Sequence, residues 1–321
     1  MKISVLGCGR WGSLITWYLS ACRGLDVTLY GRPDSTHMQR FLRERRNDLL
    51  TLPESVALST DLACVQDAEV IIISIGSQNL RSLLGQPELQ ALRERTVVLC
   101  MKGLEMGTGA RLSQIASECL HPSNAVAVWL GPGHVQEFYR GIPNCMVIDS
   151  ENDAVKRRLV QSFSSDLIRF YYGGDMIGNE VGAAAKNVVG IAAGFLDGFE
   201  MGSLKGALMS RGTREVARLI KAMGGSELSA YGLCHLGDYE ATVFSPYSHN
   251  RQFGEAFVRG QDYHQLAEGY YTVKALMLLG KKYGVELPIS RAVHDILYER
   301  AVPKDVLAGL LRRGLTEEFY D

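Results

Sequence analysis

The feature that most constrains this chain lies at its start. The apolar run Lys2-Ile-Ser-Val-Leu6 leads directly into Gly7-Cys8-Gly9-Arg10-Trp11-Gly12, and an amphipathic stretch continues to about Ser20. A strand that ends in G-x-G-x-x-G and opens a helix is the order of a dinucleotide-binding fold. Each glycine has its own duty there: Gly7 makes the tight turn, Gly9 lets a pyrophosphate reach the backbone, and Gly12 lets helix and strand pack. The phosphates meet free N–H groups at the positive end of the helix dipole. Cys8 reads as a small residue of that loop. The apolar stretch before Gly7 is far shorter than a secretory h-region, so no signal peptide is expected.

The following runs extend the same reading. Val70–Ile75, Thr96–Met101, Ala125–Leu130 and Cys145–Ile148 are near-continuous apolar segments, as buried parallel strands should be, and Leu167–Tyr172 can close the sheet. A second strand, Leu25–Tyr30, ends in Gly31-Arg32. An NAD-specific fold usually places a carboxylate near this point for the ribose 2′-hydroxyl; Arg32 suits a 2′-phosphate instead, so NADP is favoured and NAD tolerated. After Gly173-Gly174 strand-like runs stop, and helical periodicity appears in 267–283, 289–300 and 303–313. The expected class is α/β: a doubly wound Rossmann domain over residues 1–174, then an all-helical substrate and catalytic domain over 175–321. A length of 321 residues fits two domains.

The run from Glu180 to Gly194, EVGAAAKNVVGIAAG, reads as a helix buried nearly all round, with Lys186 and Asn187 at its centre. A buried ammonium without a partner is costly, so Lys186 needs either an ion partner or a cleft that uses its proton. Glycine and alanine on its flanks let another backbone or a ligand approach closely. The run is too short and too interrupted to span a membrane, which takes roughly 20 apolar residues. A net charge of -1 gives no electrostatic case for nucleic acid or a membrane surface. The seven cysteines include no CxxC pair and suit a reducing cytoplasm. The histidines lack metal-ligand spacing, so no metal is expected.

Ligands on doubly wound sheets bind beyond the carboxyl ends of the strands. Three segments fall there: Gly76-Ser77-Gln78, Lys102-Gly103-Leu104-Glu105 and Gly131-Pro132-Gly133-His134. GCGRWG at 7–12, GR at 31–32, KGLE at 102–105 and GP at 131–132, with GNEVGAAAKNVVGIAAG at 178–194, RGTRE at 211–215, GLCHLGD at 232–238, HNRQFG at 249–254, EG at 268–269 and ELPI at 286–289, resemble the bacterial NAD(P)-dependent glycerol-3-phosphate dehydrogenase family nearly end to end. The resemblance implies reversible hydride transfer between NADH or NADPH and dihydroxyacetone phosphate, supply of glycerophospholipid synthesis, a cytoplasmic location and a homodimer.

Residue by residue, the resemblance implies Lys186 as the catalytic lysine, Lys102 as a second lysine that touches both carbonyl and cofactor, and Asp238 as their partner. It implies substrate contacts at Gly131, Gly133, Asn187, Thr242, Ser248, His249 and Asn250. Cofactor contacts fall at Gly7, Gly9, Arg10, Trp11, Gly12, Arg32, Lys102, Val135, His249, Leu266 and Glu268. The chain also departs from the family pattern. The phosphate loop, usually Ser-Arg-Asn, reads Ser248-His249-Asn250, which removes a bidentate donor that Arg251 can replace only by reaching back two positions. Gly-Pro-Ser reads Gly131-Pro132-Gly133, His235 stands for a glycine, and Ser203 for an asparagine. Grouped, His134, His235 and His249 suggest a phosphate grip that depends on pH. Three other readings stay open: a paralogue that reduces a different small carbonyl, a ketopantoate-type reductase, and a nicotinamide-binding sensor without chemistry. The second is weakened because those enzymes place an asparagine one turn after the lysine, where this chain has Gly190.

Overall fold

The computed structural model describes residues 1–312 and Glu318. The chain separates into two compact units, Met1–Met101 with Leu112–Met176, and Lys102–Arg111 with Ile177–Asp321. The sequence reading left Lys102–Arg111 with the sheet. The segment belongs with the helices because its two ends are charged and find their partners there: Lys102 pairs with Asp238 at 2.7 Å, and Arg111 with Glu180 at 2.5 Å.

The first unit is built on one eight-stranded sheet: β1 (Lys2–Leu6), β2 (Asp26–Tyr30), β3 (Ala57–Ser59), β4 (Val70–Ile73), β5 (Thr96–Leu99), β6 (Ala125–Leu130), β7 (Asn144–Ser150) and β8 (Ile168–Tyr172), in the order β3-β2-β1-β4-β5-β6-β7-β8. From β3 to β6 all pairings are parallel, with Ile3 opposite both Val27 and Val70. Every residue of β4 and β5 is buried, which is why these strands read as unbroken apolar runs. The chain order reverses between β1 and β4, and that reversal opens the crevice where such sheets take ligands.

Two departures from the expected sheet have physical reasons. β3, absent from the sequence reading, is a three-residue edge strand with no apolar run of its own. β7 was read as parallel, but it runs antiparallel to β6, with Ala127 opposite Ser150 and Leu130 opposite Val147. The connection between them carries only the five-residue helix Val135–Tyr139, and a parallel crossover needs a longer one. Trp129 of β6 anchors this end of the core, edge-on to Phe170 at 4.9 Å and donating its indole N–H to Met146 Sδ.

The second unit is helical and organised around the Met176–Gly198 helix, whose residues Glu180–Leu196 are all buried. The Lys205–Ala222 helix supplies a cap to another. Leu287 precedes the Pro288–Tyr298 helix and has no side-chain oxygen to offer its first N–H groups. Glu215 replaces it, accepting from Ile289 N (2.7 Å), Ser290 N (3.0 Å) and Ser290 Oγ (2.6 Å). The RGTRE and ELPI blocks are therefore one structural device. Among the described residues, no helix is long and apolar enough to cross a membrane.

Candidate active site

In the first unit the phosphate loop divides its glycines between two purposes. Gly7 has φ +114°, and a Cβ there would lie 2.1 Å from the Ser74 carbonyl at the end of β4. A Cβ on Gly12 would lie 1.9 Å from the Gly7 carbonyl. Both positions are closed by the protein's own backbone. Gly9 differs: a Cβ built there meets nothing within 4 Å. The Arg10–Trp17 helix that follows has no side-chain cap and no acidic residue in its first turn. An uncapped helix start, a favourable dipole end and an open approach over Gly9 fit a pyrophosphate.

Arg10 reaches Gln136, and the Trp11 ring packs edge-on to Phe138 at 6.1 Å, so both side chains lie over the Val135–Tyr139 helix. Arg32 is exposed beyond β2 and stands 3.5 Å from Asp34. Asp34 escaped the sequence reading; with it the loop offers both a cation for a 2′-phosphate and a carboxylate for a ribose hydroxyl. Val135 is buried, which leaves only its backbone for a ligand. Gly133 has φ +139°, and a Cβ there would lie 2.2 Å from Phe138 Cε2, so the departure from serine follows from the neighbouring ring.

In the second unit the site is laid along one stripe of the Met176–Gly198 helix. Gly182, Lys186, Gly190, Gly194 and Gly198 recur at four-residue spacing and so form one ridge inclined across the helix surface. The chain that packs there touches the stripe in register. A Cβ on Gly182 would lie 3.0 Å from His235 Cβ, one on Gly190 2.8 Å from Thr242 Cγ2, and one on Gly194 2.1 Å from the Arg251 carbonyl. The small residues around Lys186 thus admit a second backbone, and that backbone delivers Asp238. Gly190 also leaves no room for the asparagine of a ketopantoate-type site.

Lys186 donates to Asp238 Oδ2 at 3.0 Å and to Thr242 Oγ1 at 2.7 Å, and the Thr242 hydroxyl donates onward to the Asp238 carbonyl at 2.7 Å. Lys102 donates to the same Oδ2 at 2.7 Å. One carboxylate therefore faces two ammonium groups, which leaves the cluster net positive and suited to an anionic or oxyanion-forming ligand. Burial pulls the Lys186 ammonium from 10.5 down to about 8; Asp238 opposes the shift and Lys102 adds to it. A lysine so placed holds its proton near neutrality and can release it.

An amide chain holds the surroundings. Gly269 N–H donates to Asn250 Oδ1 (2.9 Å), Asn250 Nδ2 to Asn187 Oδ1 (3.0 Å), and Asn187 Nδ2 to the Lys102 carbonyl (2.8 Å). Ser248 caps the His249–Val258 helix by accepting from Arg251 N. Glu268 begins the Glu268–Tyr283 helix, and Leu266 is exposed just before it. His249 Nδ1 lies 2.7 Å from the Tyr263 hydroxyl. Arg251, the sequence candidate to replace the missing arginine, is engaged elsewhere: it pairs with Asp197 at 2.9 Å, a carboxylate that also binds Lys205 at 2.7 Å.

The predicted site residues thus fall into two sets. Gly7, Gly9, Arg10, Trp11, Gly12, Arg32, Gly131, Gly133 and Val135 lie in the first unit, and Lys102, Lys186, Asn187, Asp238, Thr242, Ser248, His249, Asn250, Leu266 and Glu268 in the second. His134 belongs to the first unit, and His235 is enclosed, 0 % exposed, and pushed by burial down to about 4, so it stays neutral.

The sequence matches the family models described as NAD-dependent glycerol-3-phosphate dehydrogenase N-terminus over residues 2–156 and C-terminus over residues 175–308. It is 34% identical over 334 residues to the glycerol-3-phosphate dehydrogenase (NAD(P)+) of Pelodictyon phaeoclathratiforme, covering 99% of both chains. It is 36% identical over 330 residues to that of Thermus thermophilus, covering 99% of this chain and all of the other. The crystal structure of glycerol-3-phosphate dehydrogenase from Coxiella burnetii superposes with a TM-score of 0.89 at 28% identity, covering 97% of this chain and 99% of that one.

Proposed function

The chain belongs to the NAD-dependent glycerol-3-phosphate dehydrogenase family, and from that premise we propose that Lys186 is its proton donor and that Lys102 and Asp238 complete the catalytic set. The enzyme reduces dihydroxyacetone phosphate to sn-glycerol 3-phosphate with NADH or NADPH, and runs in reverse as a dehydrogenase. The observation that carries the assignment of roles is the placement of Lys186, a buried ammonium aimed by Asp238 and Thr242.

Gly9 and the start of the Arg10–Trp17 helix would hold the pyrophosphate of a nicotinamide cofactor, with Gly7 and Gly12 shaping the turn, and the cofactor when bound would supply the hydride. Two of the three ammonium protons of Lys186 are directed to Asp238 and Thr242, and the third serves the substrate oxygen. As the carbonyl carbon accepts hydride, its oxygen takes that proton, so no free alkoxide forms and Lys186 is left as the neutral amine. Lys102 adds positive charge where the oxygen becomes negative. Asp238 keeps its charge throughout, holds both lysines in place, and steadies the ammonium once water restores the proton. In the reverse direction neutral Lys186 takes the hydroxyl proton.

Ser248, His249 and Asn250 receive the substrate phosphate, and Arg32 with Asp34 reads the 2′ position of the cofactor. The enzyme works as a cytoplasmic homodimer, for which light scattering is the test. The activity is tested by oxidation of NADPH and NADH with dihydroxyacetone phosphate beside unphosphorylated dihydroxyacetone. Turnover confined to the phosphate ester supports the reading, and a folded, cofactor-binding protein silent on both substrates overturns it.

A further inference from the structure

His235 is fully enclosed, and both of its ring nitrogens are engaged: Nδ1 lies 2.8 Å from the Gly182 carbonyl and Nε2 2.7 Å from the Tyr239 hydroxyl. A carbonyl only accepts, so Nδ1 carries the proton and Nε2 accepts from tyrosine. The Gly182 carbonyl thereby fixes the tautomer, and burial keeps the ring neutral. The Gly182 carbonyl is also the one to which helix geometry directs the backbone N–H of Lys186. His235 and Tyr239 bracket the turn Leu236–Asp238, with Asp238 between them.

We infer that His235 is a positioning residue for proton transfer: by pinning the Asp238 turn to the backbone of the lysine helix, one turn before Lys186, it sets the contact between carboxylate and ammonium. The inference rests on Lys186 as the proton donor. A glycine at this place would offer neither bond. The charged groups facing the imidazole are Lys186 and Asp238, with Lys102 beyond them on the same carboxylate; Glu215 faces Tyr239 from the Lys205–Ala222 helix. None of these supplies a proton to His235, whose ring is neutral by burial across the working range.

Three variants separate the bond from the bulk. His235→Asn keeps an N–H near the position of Nδ1 and loses the tyrosine bond. His235→Gln keeps an acceptor near Nε2 and loses the bond to Gly182. His235→Leu fills the volume with neither. In reduction of dihydroxyacetone phosphate, kcat is expected to fall about tenfold in the Gln and Leu variants and less than about threefold in Asn, with KM within about twofold throughout. The Lys186 titration is followed independently by the 13Cε shift in lysine-labelled protein, assigned with Lys186→Met. Loosening Asp238 removes the group that raises this pKa, so the midpoint should fall by about half a unit in Gln and Leu and stay put in Asn.

Equal kcat in all three variants, or an unmoved Lys186 titration in Gln, overturns the inference. If the Leu variant does not fold, Gln against Asn decides alone. The titration needs no substrate. A wild-type enzyme silent on dihydroxyacetone phosphate, with the titration moving as expected, removes the substrate reading and supports the pin.

Discussion

The phosphate loop and the lysine stripe use glycine for different ends. In the loop, Gly12 closes against the Gly7 carbonyl of its own turn, Gly7 closes against the Ser74 carbonyl at the end of the neighbouring strand, and Gly9 alone is left open. Along the stripe, Gly182, Gly190 and Gly194 each admit a segment distant in sequence, and those segments bring in Asp238 and Thr242. The loop is therefore made by one short stretch of chain laid against the end of the strand beside it. The stripe is a site only after the unit has folded. A local motif carries its geometry in its spacing, whereas an assembled site carries only the cost of a buried charge.

The largest effect that separates the two is loss of the proton donor. Lys186→Ala should lower kcat roughly a thousandfold and leave the NADPH dissociation constant within about twofold, because the lysine serves the reacting oxygen and the loop serves the phosphates. Stopped-flow turnover and fluorescence titration measure the two quantities, and near wild-type turnover would remove Lys186 from the mechanism. Next comes a glycine contrast. Gly12→Ala and Gly194→Ala each push a Cβ to about 2 Å from a backbone carbonyl, and each should cost about 2–3 kcal/mol in urea melts. Gly9→Ala meets nothing within 4 Å, so it should keep its stability within about 0.5 kcal/mol and weaken NADPH binding about tenfold. Unchanged binding by that variant would break the comparison, since the open glycine would then have no ligand.

Legibility in the sequence follows the same divide. The strands β1 and β4–β6 are readable because burial on both faces leaves near-continuous apolar runs, and β2 alternates buried with less buried residues. The direction of β7 is not, because an apolar run does not encode which way it points, and β3 is too short to leave a signal. Lys186 was identifiable from the cost of burying an ammonium, but its partner Asp238 was named only through the family resemblance. His235 was grouped with two other histidines by residue type; its enclosure between Gly182 and Tyr239 depends on tertiary packing. The four-residue glycine repeat was visible throughout and marks the face on which the site is built. The missing cap at Leu287 was a signal too, one that a carboxylate far away in sequence answers.

The acidity of Lys186 sharpens the comparison further, because it belongs to the assembled site alone. Reduction needs the ammonium, so its rate should fall about tenfold per pH unit above a midpoint of about 8, and the reverse reaction should rise through the same midpoint. Lys102 pushes that midpoint down by repulsion across the shared carboxylate. In Lys102→Met the ammonium loses a like charge and keeps Asp238, so the limb should move to higher pH even though the maximal rate falls. A limb that stays fixed would mean that burial alone sets it.

The smallest expected effect tests a second part of the assembled site that departs from the family pattern. His249 stands where an arginine is usual, and its Nδ1 lies against Tyr263. Arg251 cannot stand in without leaving Asp197, which holds it at 2.9 Å and holds Lys205 as well. A guanidinium at position 249 would add a permanent bidentate phosphate donor on the first turn of a helix, where anions are already favoured. His249→Arg should therefore lower KM for dihydroxyacetone phosphate about three- to tenfold with kcat nearly unchanged, and leave KM for unphosphorylated dihydroxyacetone where it was. An unchanged KM for the phosphate ester would place the phosphate away from the Ser248–Asn250 turn, and the assembled site would then keep only its proton chemistry, without this anchor.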